Sequence, residues 1–123
     1  MKNNYALMQA ASYMEAIKDL VSRLSPNGEE DNEEAREAIF NMPLKVAVRS
    51  DWVPPGTEMI PQEYCILLST GGPACRIIGD VAGTWARLEW QDWGSPWKRY
   101  LDENMNENEA ALLVFASFFN FAE

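Results

Sequence analysis

At 123 residues the chain has the size of one domain, and a hydrophobic share of 47% with 11% aromatics is enough to close a core, which excludes a chain disordered by composition. A formal net charge of −9 excludes bulk attraction to a nucleic-acid backbone or an anionic membrane and favours basic protein surfaces. The charge sits at the two ends: residues 1–40 carry eight acids and four bases, 41–100 six of each, and 101–123 five acids and no base.

Residues 4–24 place Leu7, Ala10, Met14, Ile17, Val21 and Leu24 at alternating spacings of three and four, the stripe of an amphipathic helix. Ser25-Pro26-Asn27-Gly28 ends it, because Pro26 disfavours the α conformation at Ser25 and Asn-Gly suits a turn. In the acidic run that follows, Asp31 with Glu34 resembles a capping box, so a short helix is expected over 32–41. It would end before Pro43 and turn Ala35, Ala38, Ile39 and Met42 inward.

From residue 44 the period drops to two. Leu44, Val46 and Val48 alternate with Lys45, Ala47 and Arg49 in a half-buried strand. A proline-rich loop over 50–62 leads to 63–69, expected as a strand buried on both faces or nearly so. Thr70-Gly71-Gly72-Pro73 signals a tight turn into 74–80, and Ala82-Gly83 a second turn into 84–92. After Trp93-Gly94-Ser95-Pro96-Trp97, a last helix over about 105–121 is apolar nearly all round beyond its acidic start. The expected architecture is α+β: a four-stranded antiparallel meander with the helices on one face. It comprises a helical part over 1–42, a sheet over 43–93 and a C-terminal helix over 104–122.

The N-terminus M-K-N-N-Y lacks the apolar stretch of a secretory signal and no 18-residue apolar run occurs, so a cytoplasmic location with no membrane contact is expected. Cys65 and Cys75 then read as reduced core residues. The chain has no histidine, which removes Ser-His-Asp and Cys-His activation and most zinc sites, and two cysteines cannot complete such a site. It also has no phosphate-binding glycine loop, since Pro73 takes away a backbone donor after Gly71-Gly72. The expectation is a protein without catalytic activity, metal or cofactor.

Strand alternation gives one positive observation. If Val46, Ile77 and Leu88 face the helices, then Lys45, Arg49, Arg76 and Arg87 face away beside Trp85 and Ile78. This outer face reads in three ways: an anion or nucleotide site, a self-association face, or a wet face on which arginine stems cover apolar atoms. Four of five tryptophans lie within 85–97. Trp85 and Trp90 have opposite parity, so Trp90 belongs to the core and Trp85 outside. Trp93 and Trp97 are expected to fill the seam between the sheet edge and the last helix, against Phe115, Phe118 and Phe119.

The segments I-L-L-S-T-G-G-P-A-C-R-I-I-G-D, W-A-R-L-E-W-Q-D-W-G-S-P-W and F-A-S-F-F-N-F resemble a group of small acidic proteins encoded by phages and mobile elements. The resemblance covers roughly 44–122, and T-G-G-P-A with Q-D-W-G-S-P-W carries most of it. It implies a setting in which accessory genes encode inhibitors of host defence, anti-CRISPR and anti-restriction proteins among them. Many of these block a nucleic-acid-binding surface. The expected function is therefore non-enzymatic inhibition of a host nucleic-acid-binding protein in the host cytoplasm, without direct contact to nucleic acid. The contact residues expected are Glu29, Glu30, Asp31, Glu33, Glu34, Glu37, Asp102, Glu103, Glu107 and Glu109. The alternatives are sequestration of a nucleotide-like anion by Lys45, Arg49, Arg76, Trp85 and Arg87, and a dimeric structural accessory protein.

Overall fold

The computed structural model of the protein describes residues 5–24 and 29–121, apart from the side chains of 29–32. The elements follow in the order α1 (Tyr5–Ser22), α2 (Glu29–Asn41), β1 (Lys45–Ser50), β2 (Pro61–Ser69), β3 (Ala74–Asp80), β4 (Ala86–Gln91), β5 (Lys98–Arg99) and α3 (Met105–Ala116). The strands form one antiparallel sheet whose spatial order is their sequence order, an α+β meander. It has five strands rather than four. After the reversal at Gly94, Lys98 and Arg99 pair with Trp90 and Glu89, too short a run to leave a period-two signature.

The sheet buries one face. Tyr64, Ile66, Leu68, Cys75, Ile77, Ala86 and Leu88 pack against Ala10, Met14 and Ile17 of α1 and Leu112 and Phe115 of α3. Burying apolar side chains of this size contributes about 1.5–3 kcal/mol each before chain entropy is set against it. Both α1 and α3 lie over β4, α1 also reaches β3, and α2 packs on α1. Two bonds pin α1 to the far end of β2: Ser69 Oγ donates to Gln9 Oε1 at 2.8 Å and Tyr13 Oη to the Leu68 carbonyl at 3.2 Å.

Several expectations need correction. The buried stripe of α1 is Ala6, Ala10, Met14, Ile17 and Leu20, while Leu7 is 37% exposed. The helix turns its Ile17 side to the core, and Leu7 lies roughly 80° around from it at 3.6 residues per turn. α2 begins at Glu29, so Asp31 is inside the helix and is not its N-cap. Ala35 and Ile39 are nonetheless fully buried, with Ala38 and Met42 packed beside them. β2 is buried on one face only, because its other face, Glu63, Cys65 and Leu67, has no layer over it. β1 is not half-buried: its residues from Lys45 to Arg49 are exposed, since among the described residues no helix packs closely on that edge. α3 ends at Ala116, after which the chain turns so that Phe121 stacks on Tyr64, with centroids 4.3 Å apart and planes 3° from parallel.

Two glycines permit close approaches. A Cβ on Gly72 would run into the Trp93 indole. One on Gly79 would come within 2.6 Å of the Trp85 carbonyl and also strike the Tyr64 ring. The Gly72–Pro73 peptide is cis, and Gly71 ahead of it has φ +93°, a conformation open to glycine without penalty.

Candidate functional site

The outer sheet face gathers the residues that alternation places there. In register, Arg76 lies opposite Glu89, which lies opposite Arg99, and Ile78 lies opposite Arg87 and Cys65. Glu89 is the pivot. It is 6% exposed, and each carboxylate oxygen takes one arginine: Arg76 Nε donates to Oε1 at 2.9 Å and Arg87 Nε to Oε2 at 2.9 Å. Trp97 closes the stack, with the Arg76 guanidinium 4.0 Å from its ring centroid, and Arg87 lies 5.5 Å from the Trp85 centroid. Each guanidinium thus has an indole face and one oxygen of the shared Glu89 carboxylate.

Arg49 is also held, its Nε donating to Glu63 Oε1 at 2.7 Å. An open concavity of about 240 Å³ lies between that pair, Cys65, Arg76 and Ile78. Of the anion-face residues predicted from sequence, Arg49, Arg76 and Arg87 are therefore all engaged by carboxylates, and Lys45 is in no ion pair among the described residues. An anion arriving between Arg76 and Arg87 would meet the Glu89 carboxylate already there. Parity in the sequence puts Glu89 on this face; only the β3–β4 register reveals that it sits between the two arginines.

The acidic residues divide into two groups. On α2, Glu33, Glu34 and Glu37 are exposed, have no ion pair among the described residues, and share one open hollow with Phe40. Phe40 is 53% exposed, and its ring is propped edge-on by Phe118 and Phe119 at centroid distances of 6.0 and 5.6 Å. Glu29, Glu30 and Asp31 belong to the same helix, but their side chains lie outside the described residues. The second group flanks the start of α3. Glu103 and Glu107 are exposed there, whereas Asp102 accepts bonds from the Asn104 backbone N–H at 2.7 Å and Asn108 Nδ2 at 2.8 Å. The Asn104 bond, outweighing slight desolvation, is the largest of the influences that hold the Asp102 carboxyl below the usual range. Glu109 is half-buried and reaches the Ala86 N–H at 3.4 Å. Asp102 and Glu109 thus do structural work at this end.

Trp90 and Trp85 lie where alternation puts them, and Trp93 and Trp97 do not. Trp90 packs against the core and Trp85 is half-buried outside. Trp93 and Trp97 do not fill a seam with α3: Trp93 lies on Gly72 and is 79% exposed, and Trp97 covers Arg76 on the outer face. The reversal at Gly94, with φ +68°, carries the chain back along β4 as β5 and so keeps Trp97 on the sheet. Both thiols are free. Cys75 is fully buried and desolvation pushes its thiol up to about 12. Cys65 is not a core residue: it lies half-buried on the outer face, where burial raises its thiol while Arg76 pulls the other way.

Among the described residues, no three of His, Cys, Asp and Glu converge to hold a metal ion, and no helix is long and apolar enough to cross a membrane. Comparison of the chain with protein-family models, with curated proteins and with solved structures gave no match in any of the three.

Proposed function

We propose that the protein is a non-enzymatic binding protein that covers a basic, nucleic-acid-handling surface of a host protein, using the acidic face of α2. The observation that supports this reading is Phe40, half-exposed and rigidly backed, set among Glu33, Glu34 and Glu37. A lysine or arginine on the partner would find carboxylates for its charge and an aromatic ring for its stem. Opposite potentials would speed encounter and make it salt-sensitive. The phage or mobile-element setting, and with it the host cytoplasm, rests on the resemblance of residues 44–122.

The test is affinity capture from the host at low and high salt with the wild type and with the triple variant Glu33→Lys/Glu34→Lys/Glu37→Lys. These side chains are exposed and in no ion pair among the described residues, so the variant is expected to fold. It should lose the captured nucleic-acid-binding protein, with at least about a hundredfold rise in Kd. Capture that is indifferent to both the charge reversal and the salt would overturn the reading.

A second reading, sequestration of a nucleotide-like anion on the outer face, draws on the Arg76–Trp97 stack, a geometry suited to base and phosphate. It predicts a rise in melting temperature with a nucleotide that Arg87→Ala abolishes, and Glu89 is the obstacle it must overcome.

A further inference from the structure

β1 carries an uncovered edge. The Leu67 carbonyl accepts from the Leu44 N–H at 2.8 Å and so points to β1, while the Gln62 carbonyl accepts from the Val81 N–H and points to β3; Leu67, Cys65 and Glu63 therefore bond their register partners Lys45, Ala47 and Arg49. The backbone groups of Val46 and Val48 then point to the open side. β1 itself is regular: Arg49 faces Glu63 and Ser50 faces Pro61, so the extra residue of the bulge belongs to β2. Four exposed apolar side chains lie along this edge, with Leu44 62%, Val46 39%, Val48 42% and Trp52 103% exposed.

We propose that this edge is a self-association site, where β1 of a second copy pairs antiparallel with Val48 opposite its own counterpart. The choice of a second copy rests on how the strand's own charges fall when it is set against itself. In the Val48-centred register Lys45 lies opposite Asp51 of the partner subunit, and symmetry repeats the pair. Ala47 meets the partner's Arg49, and Val46 meets the partner's Ser50. One step past the strand end, Trp52 falls opposite the partner's Leu44, covering the two most exposed apolar side chains of this edge.

The neighbouring registers fail for stated reasons. Centring on Ala47 sets Lys45 against the partner's Arg49 twice, and centring on Arg49 sets that arginine against itself. Centring on Val46 opposes no unlike charges, setting Lys45 against the partner's Ala47 and Arg49 against the partner's Pro43. The Val48 register is the one of the four that opposes unlike charges. Lys45 and Arg49, which guard an edge strand against indiscriminate pairing, also select this partner. The contact is isologous and closed, so it stops at a dimer. It joins two five-stranded sheets edge to edge and leaves both α2 acidic faces outside, independent of the reading given for them.

The experiment is sedimentation of the full chain over a wide concentration range, for the wild type, Lys45→Asp, Asp51→Lys and the double swap. The wild type should form a dimer, each single variant should weaken it by about tenfold, and the double swap should recover it to within about threefold. A wild type that stays monomeric throughout, or a dimer whose affinity ignores both single swaps, overturns the proposal. Val48→Cys gives a second measurement that does not depend on charge. Val48 would sit at a hydrogen-bonded pair with Cα atoms about 5.5 Å apart, within disulfide reach. Oxidation should convert that variant, and not the wild type, into a covalent dimer; failure to cross-link counts against the register.

Discussion

Glu89 shows how one side chain sets the character of a surface. A carboxylate that is 6% exposed would be costly by itself, and Arg76 and Arg87 offset that cost from either side. The two arginines are 27% and 41% exposed, so water screens part of the interaction and the pair contributes less than a fully buried one. Glu89→Gln keeps the shape and removes the charge, leaving two guanidiniums beside a neutral amide. We expect a loss of about 2 kcal/mol and a fall in Tm of roughly 8 °C, read by thermal denaturation. An unchanged Tm would mean that the carboxylate only decorates the face. Alternation in the sequence identifies these residues as neighbours on one side of the sheet. It does not reveal that a single acid divides two bases, because that depends on the hairpin register, nor that Trp97 closes the stack, because that depends on a reversal at Gly94.

At the scale of elements, the β3–β4 turn is organised by Asp80. Its Oδ1 accepts from the backbone N–H groups of Thr84 at 2.8 Å and Trp85 at 3.0 Å, and its Oδ2 accepts from the Thr84 hydroxyl. Desolvation is the largest single influence on this carboxyl and acts upward, but the hydrogen bonds together outweigh it and hold the group below its ordinary value. A depressed carboxyl contributes stability that is complete above the unfolded value near 3.9 and is lost as pH falls through the folded one. Asp80→Asn is therefore expected to cost about 1 kcal/mol at pH 7, with the gap to wild type narrowing below about pH 4 in urea titrations. A gap that stays constant on acidification would contradict this. The turns that bound this hairpin, Gly71-Gly72-Pro73 and Ala82-Gly83, are legible because glycine and proline constrain the backbone locally. The burial of β1 and the rotation of α1 are not, because each depends on where a distant helix comes to lie. Val46 and Val48 do face the helical side, as alternation requires, yet among the described residues no helix packs closely there.

For the whole molecule, the helical layer covers β3 and β4 and stops short of β1, so the sheet is unequally supported along its width. β2, β3 and β4 each have two neighbouring strands, and buried side chains from all three are joined in one core. β1 has a neighbour on one side, no helix packed closely on it among the described residues, and the wholly exposed 51–60 segment as its tether. In hydrogen-exchange terms, such a strand opens without opening the rest. The amides of Ala47 and Arg49, which bond β2, are expected to exchange orders of magnitude faster than those of Ile66, Ile77 and Leu88, which wait for global unfolding; equal rates across the five would contradict a separable β1. A strand that lifts off in this way exposes the β2 edge behind it, and its tether lets the same segment be received by the β2 of another molecule. The fold thus contains the elements for exchanging a strand between chains, so the protein's concentration bears on which molecule completes its sheet.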